Sequence, residues 1–127
     1  MNVHNQRQVY GETLLALARE NPDIVACDAD LSKSTMSCLF AEAFPDRFFE
    51  MGIAEAYMVC FAAGVCLAGK IPFVHSFAVF VSGRPYDQIR VSVCLGELNV
   101  KIIGSSAGLS DFGDGSTHQS VDDIALM

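Results

Sequence analysis

The sequence predicts a single α/β domain in which a mostly parallel sheet is sandwiched by helices. Three observations lead there. Short β-like runs alternate with helix-length segments along the chain, the order that builds parallel sheets from crossover units. Breaker residues such as Asn21-Pro22, Pro45 and Gly69 fall between these runs. The chain is also apolar for its size, 51% hydrophobic and 18% charged over 127 residues. That composition suits strands buried on both faces, together with an apolar surface that meets a partner.

The elements follow in order. A first helix is predicted over 6–19, ending before Asn21-Pro22. A β-like run over 24–27 opens into the polar turn Asp28-Ala29-Asp30-Leu31, where a strand would end. A short helix is expected over 37–44, closed by Pro45, and a short strand over 48–50. The apolar segment 54–68 reads as a long helix that serves as core or as a face for self-association, which favours a homo-oligomer. Strands are predicted over 71–74 and 100–104, separated by a helix over 85–95 with Pro85 in its tolerated first turn. A Gly/Ser/Asp loop covers 105–115. Ser120-Val121-Asp122-Asp123 then opens a last helix with an acidic residue three after Ser. That helix has barely begun at Met127, so the sheet is expected to be truncated at the C-terminus.

Composition excludes several functions. The formal net charge is −7 and the eight basic residues are scattered, which argues against nucleic-acid binding. The longest apolar stretch, 57–69, falls short of the ~20 residues of a membrane span. The start Met1-Asn2-Val3-His4 has no basic segment leading into an apolar one, so no signal peptide is read. Five cysteines form no CxxC pair, and Cys27, Cys60, Cys66 and Cys94 lie in apolar runs. They read as reduced core residues of a cytoplasmic protein, with no disulfide framework and no metal site.

Four segments carry chemistry. Phe48-Phe49-Glu50-Met51-Gly52-Ile53-Ala54-Glu55 runs from a strand through glycine into a helix whose first turn holds Glu55. By itself an acidic residue at that place stabilises a helix start. His75-Ser76-Phe77-Ala78-Val79-Phe80 is rich in aromatic residues, and Arg84-Pro85-Tyr86-Asp87-Gln88 follows. Gly113-Asp114-Gly115-Ser116-Thr117-His118-Gln119 is a loop that places Asp and His at a spacing suited to hydroxyl recognition.

In this order and at about this spacing the four segments resemble the transketolase family, within the thiamine-diphosphate-dependent enzymes. The likeness covers essentially the whole of 1–127, as a partial pyrimidine-binding domain. It implies that Glu55 hydrogen-bonds the aminopyrimidine and activates the cofactor, and that Phe80, with Phe77, stacks against the ring. Core packing accounts equally well for Phe77. Asp30 and Leu31 resemble the family's Asp-Leu pair near the cofactor, and a plain polar turn reads as well. Asp114 and His118 match residues that contact donor hydroxyls, His118 also assisting proton movement. Arg7 and Ser34 fall where the family contacts the sugar phosphate, although a lone Arg near an N-terminus is often only solvated.

The sequence departs from the family where an aromatic residue is replaced by Gly83 and a family His by Ser106. His4 and His75 read as surface and loop residues. Gly113-Asp114-Gly115 imitates the opening of the family's diphosphate and metal motif, but no Asn follows it in this chain. The metal, Mg²⁺ or Ca²⁺, and the diphosphate are therefore expected on a partner, the N-terminal subunit of a split transketolase. The implied reaction is transfer of a two-carbon ketol unit between sugar phosphates, with this chain inactive alone. A 1-deoxyxylulose-5-phosphate synthase-like enzyme and a non-catalytic assembly or regulatory module of the same fold are the alternatives.

Overall fold

The computed structural model describes residues 5–127; His4 lies outside the described residues. Helix α1 (Gln6–Glu20) is capped by the Asn5 side chain, which accepts from the Arg7 N–H. It leads into β1 (Ile24–Asp28), buried along its whole length. Two short helices, α2 (Ser32–Thr35) and α3 (Cys38–Ala43), precede β2 (Phe48–Glu50). Helix α4 (Glu55–Leu67) returns to β3 (Ile71–Phe77), and α5 (Ala78–Gly83) follows without a break. Helix α6 (Tyr86–Gln88) widens into a π-helical turn, Ile89–Cys94, before β4 (Lys101–Ser105). A 3₁₀ turn, Gly115–Thr117, and the short helix α7 (Asp123–Leu126) complete the described chain.

All strand pairs are parallel, and the order is β2-β1-β3-β4. Alternation along the strands feeds two cores. Ile24, Ala26 and Phe73 turn to one face, against Leu14 and Ala18 of α1 and Phe40 of α3. Cys27 and Val74 turn to the other, against Met58, Val59 and Ala62 of α4 and Ile89 and Val93 of the π-helical turn. Each large apolar side chain so buried contributes roughly 1.5–3 kcal/mol before the entropy cost of ordering. Gly11 lets α1 approach the bend before α3: a Cβ there would stand 2.8 Å from the Met36 carbonyl oxygen. Arg47 closes the end of α1 by donating to the carbonyls of Ala18 at 3.0 Å and Asn21 at 3.2 Å.

Several expectations change. The aromatic segment after β3 is helical from Ala78, and the segment read as one helix over 85–95 is mostly π-helix. A helix over Ser32–Thr35 appears between the turn at 28–31 and the helix expected from 37, because the Leu31 carbonyl accepts from the N–H groups of Ser34 and Thr35. His75 is not a surface residue. It is fully buried on β3, facing Tyr10. Cys60 and Cys94 are exposed rather than core, since their helices turn those positions away from the sheet; all five cysteines are free thiols. Among the described residues no helix is long and apolar enough to cross a membrane.

Candidate active site

After β1 the chain moves outward to β2, then crosses back to place β3 on the other side of β1. The loops at the carboxyl ends of β1 and β3 therefore part company, and open α/β sheets bind ligands in such a crevice. Asp30 and Leu31 follow β1, Phe77 and Phe80 come at and after the end of β3, and Glu55 opens α4. A cleft of about 240 Å³ is lined in part by Asp30, Leu31, Glu55, Phe80, Arg84 and His118.

Glu55 is 2% exposed. Its Oε1 accepts from the Arg84 guanidinium at 2.6 Å and from the Ser76 hydroxyl at 3.4 Å. Arg84 in turn lies over Phe80, its guanidinium carbon 4.0 Å from the ring centroid. The rings of Phe77 and Phe80 are nearly parallel, 13° apart with centroids at 6.1 Å. His118 meets both edge-on, at 5.9 Å from Phe77 and 5.1 Å from Phe80. The cleft thus joins a buried carboxylate, an aromatic face and an imidazole.

Two carboxylates hold the walls. Buried Asp28 accepts from the Leu31 N–H at 2.6 Å and from the hydroxyls of Thr35 and Ser37, both at 2.8 Å. Burial pushes the Asp28 carboxyl above its ordinary range, and these hydrogen bonds partly offset that. One oxygen of Glu50 accepts from the N–H groups of both Asp30 and Gly52, tying the loop after β1 to the loop after β2. Asp30 has φ 64, a left-handed conformation that a non-glycine residue keeps only where its surroundings fix it.

Of the residues read from sequence, Glu55, Phe80, Phe77, Asp30, Leu31 and His118 come together. Asp114 does not: it is exposed, absent from the cleft lining, and its N–H bonds the Asp111 carboxylate. Arg7 donates to the Ser34 carbonyl at 3.1 Å. It borders a second, larger cleft of about 620 Å³ shared with Tyr10, Ser105, Ser106 and Ser110. Sequence reading missed Arg84, Ser76, Asp28 and Glu50 as site residues. Arg84 had a visible signal, a cation four residues after Phe80, one helical turn away.

The chain matches the family of the transketolase pyrimidine binding domain over residues 4–127. A protein of Methanocaldococcus jannaschii with the provisional description of a transketolase C-terminal section is 47% identical over 121 residues, covering 95% of this chain and 38% of that protein. The 1-deoxy-D-xylulose-5-phosphate synthase of Syntrophus aciditrophicus is 42% identical over 120 residues, covering 94% of this chain and 18% of the synthase. Among solved structures, a split-gene transketolase in an inactive β4 tetramer superimposes with a TM-score of 0.80 at 51% identity, over 95% of this chain and 38% of that one. The chain therefore spans little more than a third of the M. jannaschii protein and of the split-gene transketolase. With the family matched over residues 4–127 and the fold superimposing on the split-gene transketolase, this chain belongs to the transketolase pyrimidine-binding-domain family.

Proposed function

We propose that the chain forms the pyrimidine-binding half of a transketolase-type site, which a diphosphate-binding partner subunit completes. The complete enzyme would move a two-carbon ketol unit between sugar phosphates. The observation that carries this reading is the buried Glu55 carboxylate, opening from the first residue of α4 into a cleft faced by Phe80. The site fits a flat heterocycle with an N–H edge, because a flat N–H donor, the Arg84 guanidinium, already makes both contacts. When bound, thiamine diphosphate supplies the electron sink that lets a carbon–carbon bond beside a carbonyl break and re-form. Glu55 would share a proton with the ring edge through Oε1, and the Ser76 hydroxyl donates to that oxygen. Phe80, backed by Phe77, carries the ring face, while Asp30 and Leu31 line the same cleft.

His118 faces the same cleft with its ring edge-on to Phe80, a placement that supports proton movement at a donor hydroxyl. Asp114 belongs to the same loop and would join it only if that loop closes over substrate. Arg7 lines the larger cleft and bonds the Ser34 carbonyl, which supports the reading of this pair as the phosphate end. The Mg²⁺ or Ca²⁺ ion is assigned to the partner.

The test is reconstitution of the full-length protein with its diphosphate-binding partner. Two-carbon transfer from xylulose 5-phosphate to ribose 5-phosphate is expected, with this chain silent alone. Condensation of pyruvate with glyceraldehyde 3-phosphate would instead favour a synthase-like enzyme, a reading kept open by the 42% identity to such a synthase and by Tyr86-Asp87-Gln88. Assembly without either activity would identify a non-catalytic module.

A further inference from the structure

Arg84 occupies both surfaces that the reading above gives to the aminopyrimidine. Its guanidinium donates to Glu55 Oε1 at 2.6 Å, the oxygen that would meet the ring edge. Its plane lies against Phe80 at 4.0 Å, the face that would carry the ring. A guanidinium is flat, donates in its own plane and stacks by its face, so it reproduces the contacts of an aminopyrimidine whose ring nitrogen carries a proton. Two flat groups cannot share one slot between a carboxylate and an aromatic face.

We propose that Arg84 is a resident stand-in for the cofactor ring: it keeps Glu55 paired while the site is empty and swings away when the ring arrives. A buried carboxylate left alone is costly, and Glu55 is 2% exposed with only Ser76, at 3.4 Å, as a second donor. Arg84 removes that cost. Unlike Glu55 it has a route out: its side chain is 44% exposed and it caps the last turn of α5 at the cleft edge. Swinging into water breaks the ion pair, and the incoming ring replaces it on the carboxylate. Arg84 is then a positioning residue acting through Glu55. Its resting pose competes with the cofactor, so the observed affinity is the intrinsic affinity reduced by the fraction of sites already open.

This inference rests on the cofactor reading, and one experiment separates the two. Thiamine diphosphate, with Mg²⁺, is titrated by calorimetry into the full-length protein assembled with its diphosphate-binding partner, as wild type, Arg84→Met and Arg84→Lys. Thermal unfolding of each cofactor-free assembly is measured in parallel. Met keeps the side-chain stem and removes competitor and ion pair together. Binding about tenfold tighter is expected alongside a lower cofactor-free Tm. A merely structural role would weaken both. Lys keeps the charge without the flat stacking group, so it holds Tm near wild type and tightens binding by less; it carries the test should the Met variant fail to fold. Affinity unchanged or weaker in the variants, with the wild type binding, overturns the stand-in and leaves the cofactor reading intact. Absence of binding in all three overturns both.

Discussion

Tyr10 and His75, 65 positions apart in sequence, are joined by a 2.7 Å hydrogen bond that pins the first helix to the third strand. The other ring nitrogen, Nδ1, stands 2.9 Å from the Cys27 carbonyl. A carbonyl only accepts, so Nδ1 carries the proton and Nε2 accepts from the Tyr10 hydroxyl. One neutral tautomer thereby links α1, β1 and β3 behind the cleft.

That arrangement makes stability depend on pH. Burial pulls His75 down from 6.5 to about 4, against a smaller opposing pull from the Cys27 carbonyl. The unfolded chain takes up this proton near 6.5 and the folded one only near 4, so between those values the unfolded state binds more protons. Stability is therefore full above the unfolded pKa and falls as pH drops through the window, by about 2 kcal/mol at pH 5. Asp28, raised by burial, works in the opposite direction. Urea unfolding at pH 7 and pH 5 isolates the histidine when compared with His75→Gln: the variant is weaker at pH 7 but loses less on acidification. An equal loss in both proteins would assign the pH dependence elsewhere.

A second prediction concerns the turn that lines the cleft. Asp28 supplies two acceptor oxygens to three donors, the Leu31 N–H and the hydroxyls of Thr35 and Ser37. Asn offers one acceptor, so Asp28→Asn leaves at least one buried donor without its partner, whichever way the amide turns. A loss of about 1–3 kcal/mol in unfolding free energy is expected. Because Leu31 and Asp30 form one wall of the cleft, cofactor affinity in the assembled enzyme should fall with it. A variant as stable as wild type would mean that the turn holds itself.

Strands β1, β2 and β4 were legible in the sequence because apolar runs ended at turn residues, and Glu55 because a strand, Gly52 and a helix start stand in line. Phe80 and His118 were legible only through the order of the motifs. The roles of Asp28 and Glu50 were not, because each depends on which backbone N–H groups a loop turns towards it. His75 was misplaced because β3 continues to Phe77, past the point where its apolar run breaks at a histidine; the distant Tyr10 hydroxyl and the Cys27 carbonyl together make burying that ring tolerable. The same dependence on long-range packing hid the π-helical turn, whose apolar side chains Ile89 and Val93 match an ordinary helix in sequence.

A third prediction addresses the outer side of α4. Tyr57 is 61% exposed and Leu67 75%, with Cys60 and Gly64 exposed between them, so one side of an otherwise buried helix faces water with few polar groups. Exposed Tyr86, Val91 and Leu95 extend apolar surface along the neighbouring α6 and π-helical turn. Self-association through α4 is expected. Light scattering of the full-length protein should show an oligomer that Tyr57→Glu with Leu67→Glu reduces to a smaller species, while circular dichroism stays unchanged. An unaltered mass would place the contact on another surface.

The last prediction bears on the chemistry itself. Glu55→Gln keeps the size of the side chain and an oxygen able to accept from Arg84, which can remain solvated because it is partly exposed. Folding and assembly should therefore survive. What the amide cannot do is exchange a proton with the ring edge it faces. Turnover of the reconstituted enzyme is expected to fall by about 10²–10⁴-fold, with the mass of the assembly by light scattering as for wild type. Wild-type turnover in this variant would mean that the carboxylate only secures the start of α4 and takes no part in activating the cofactor.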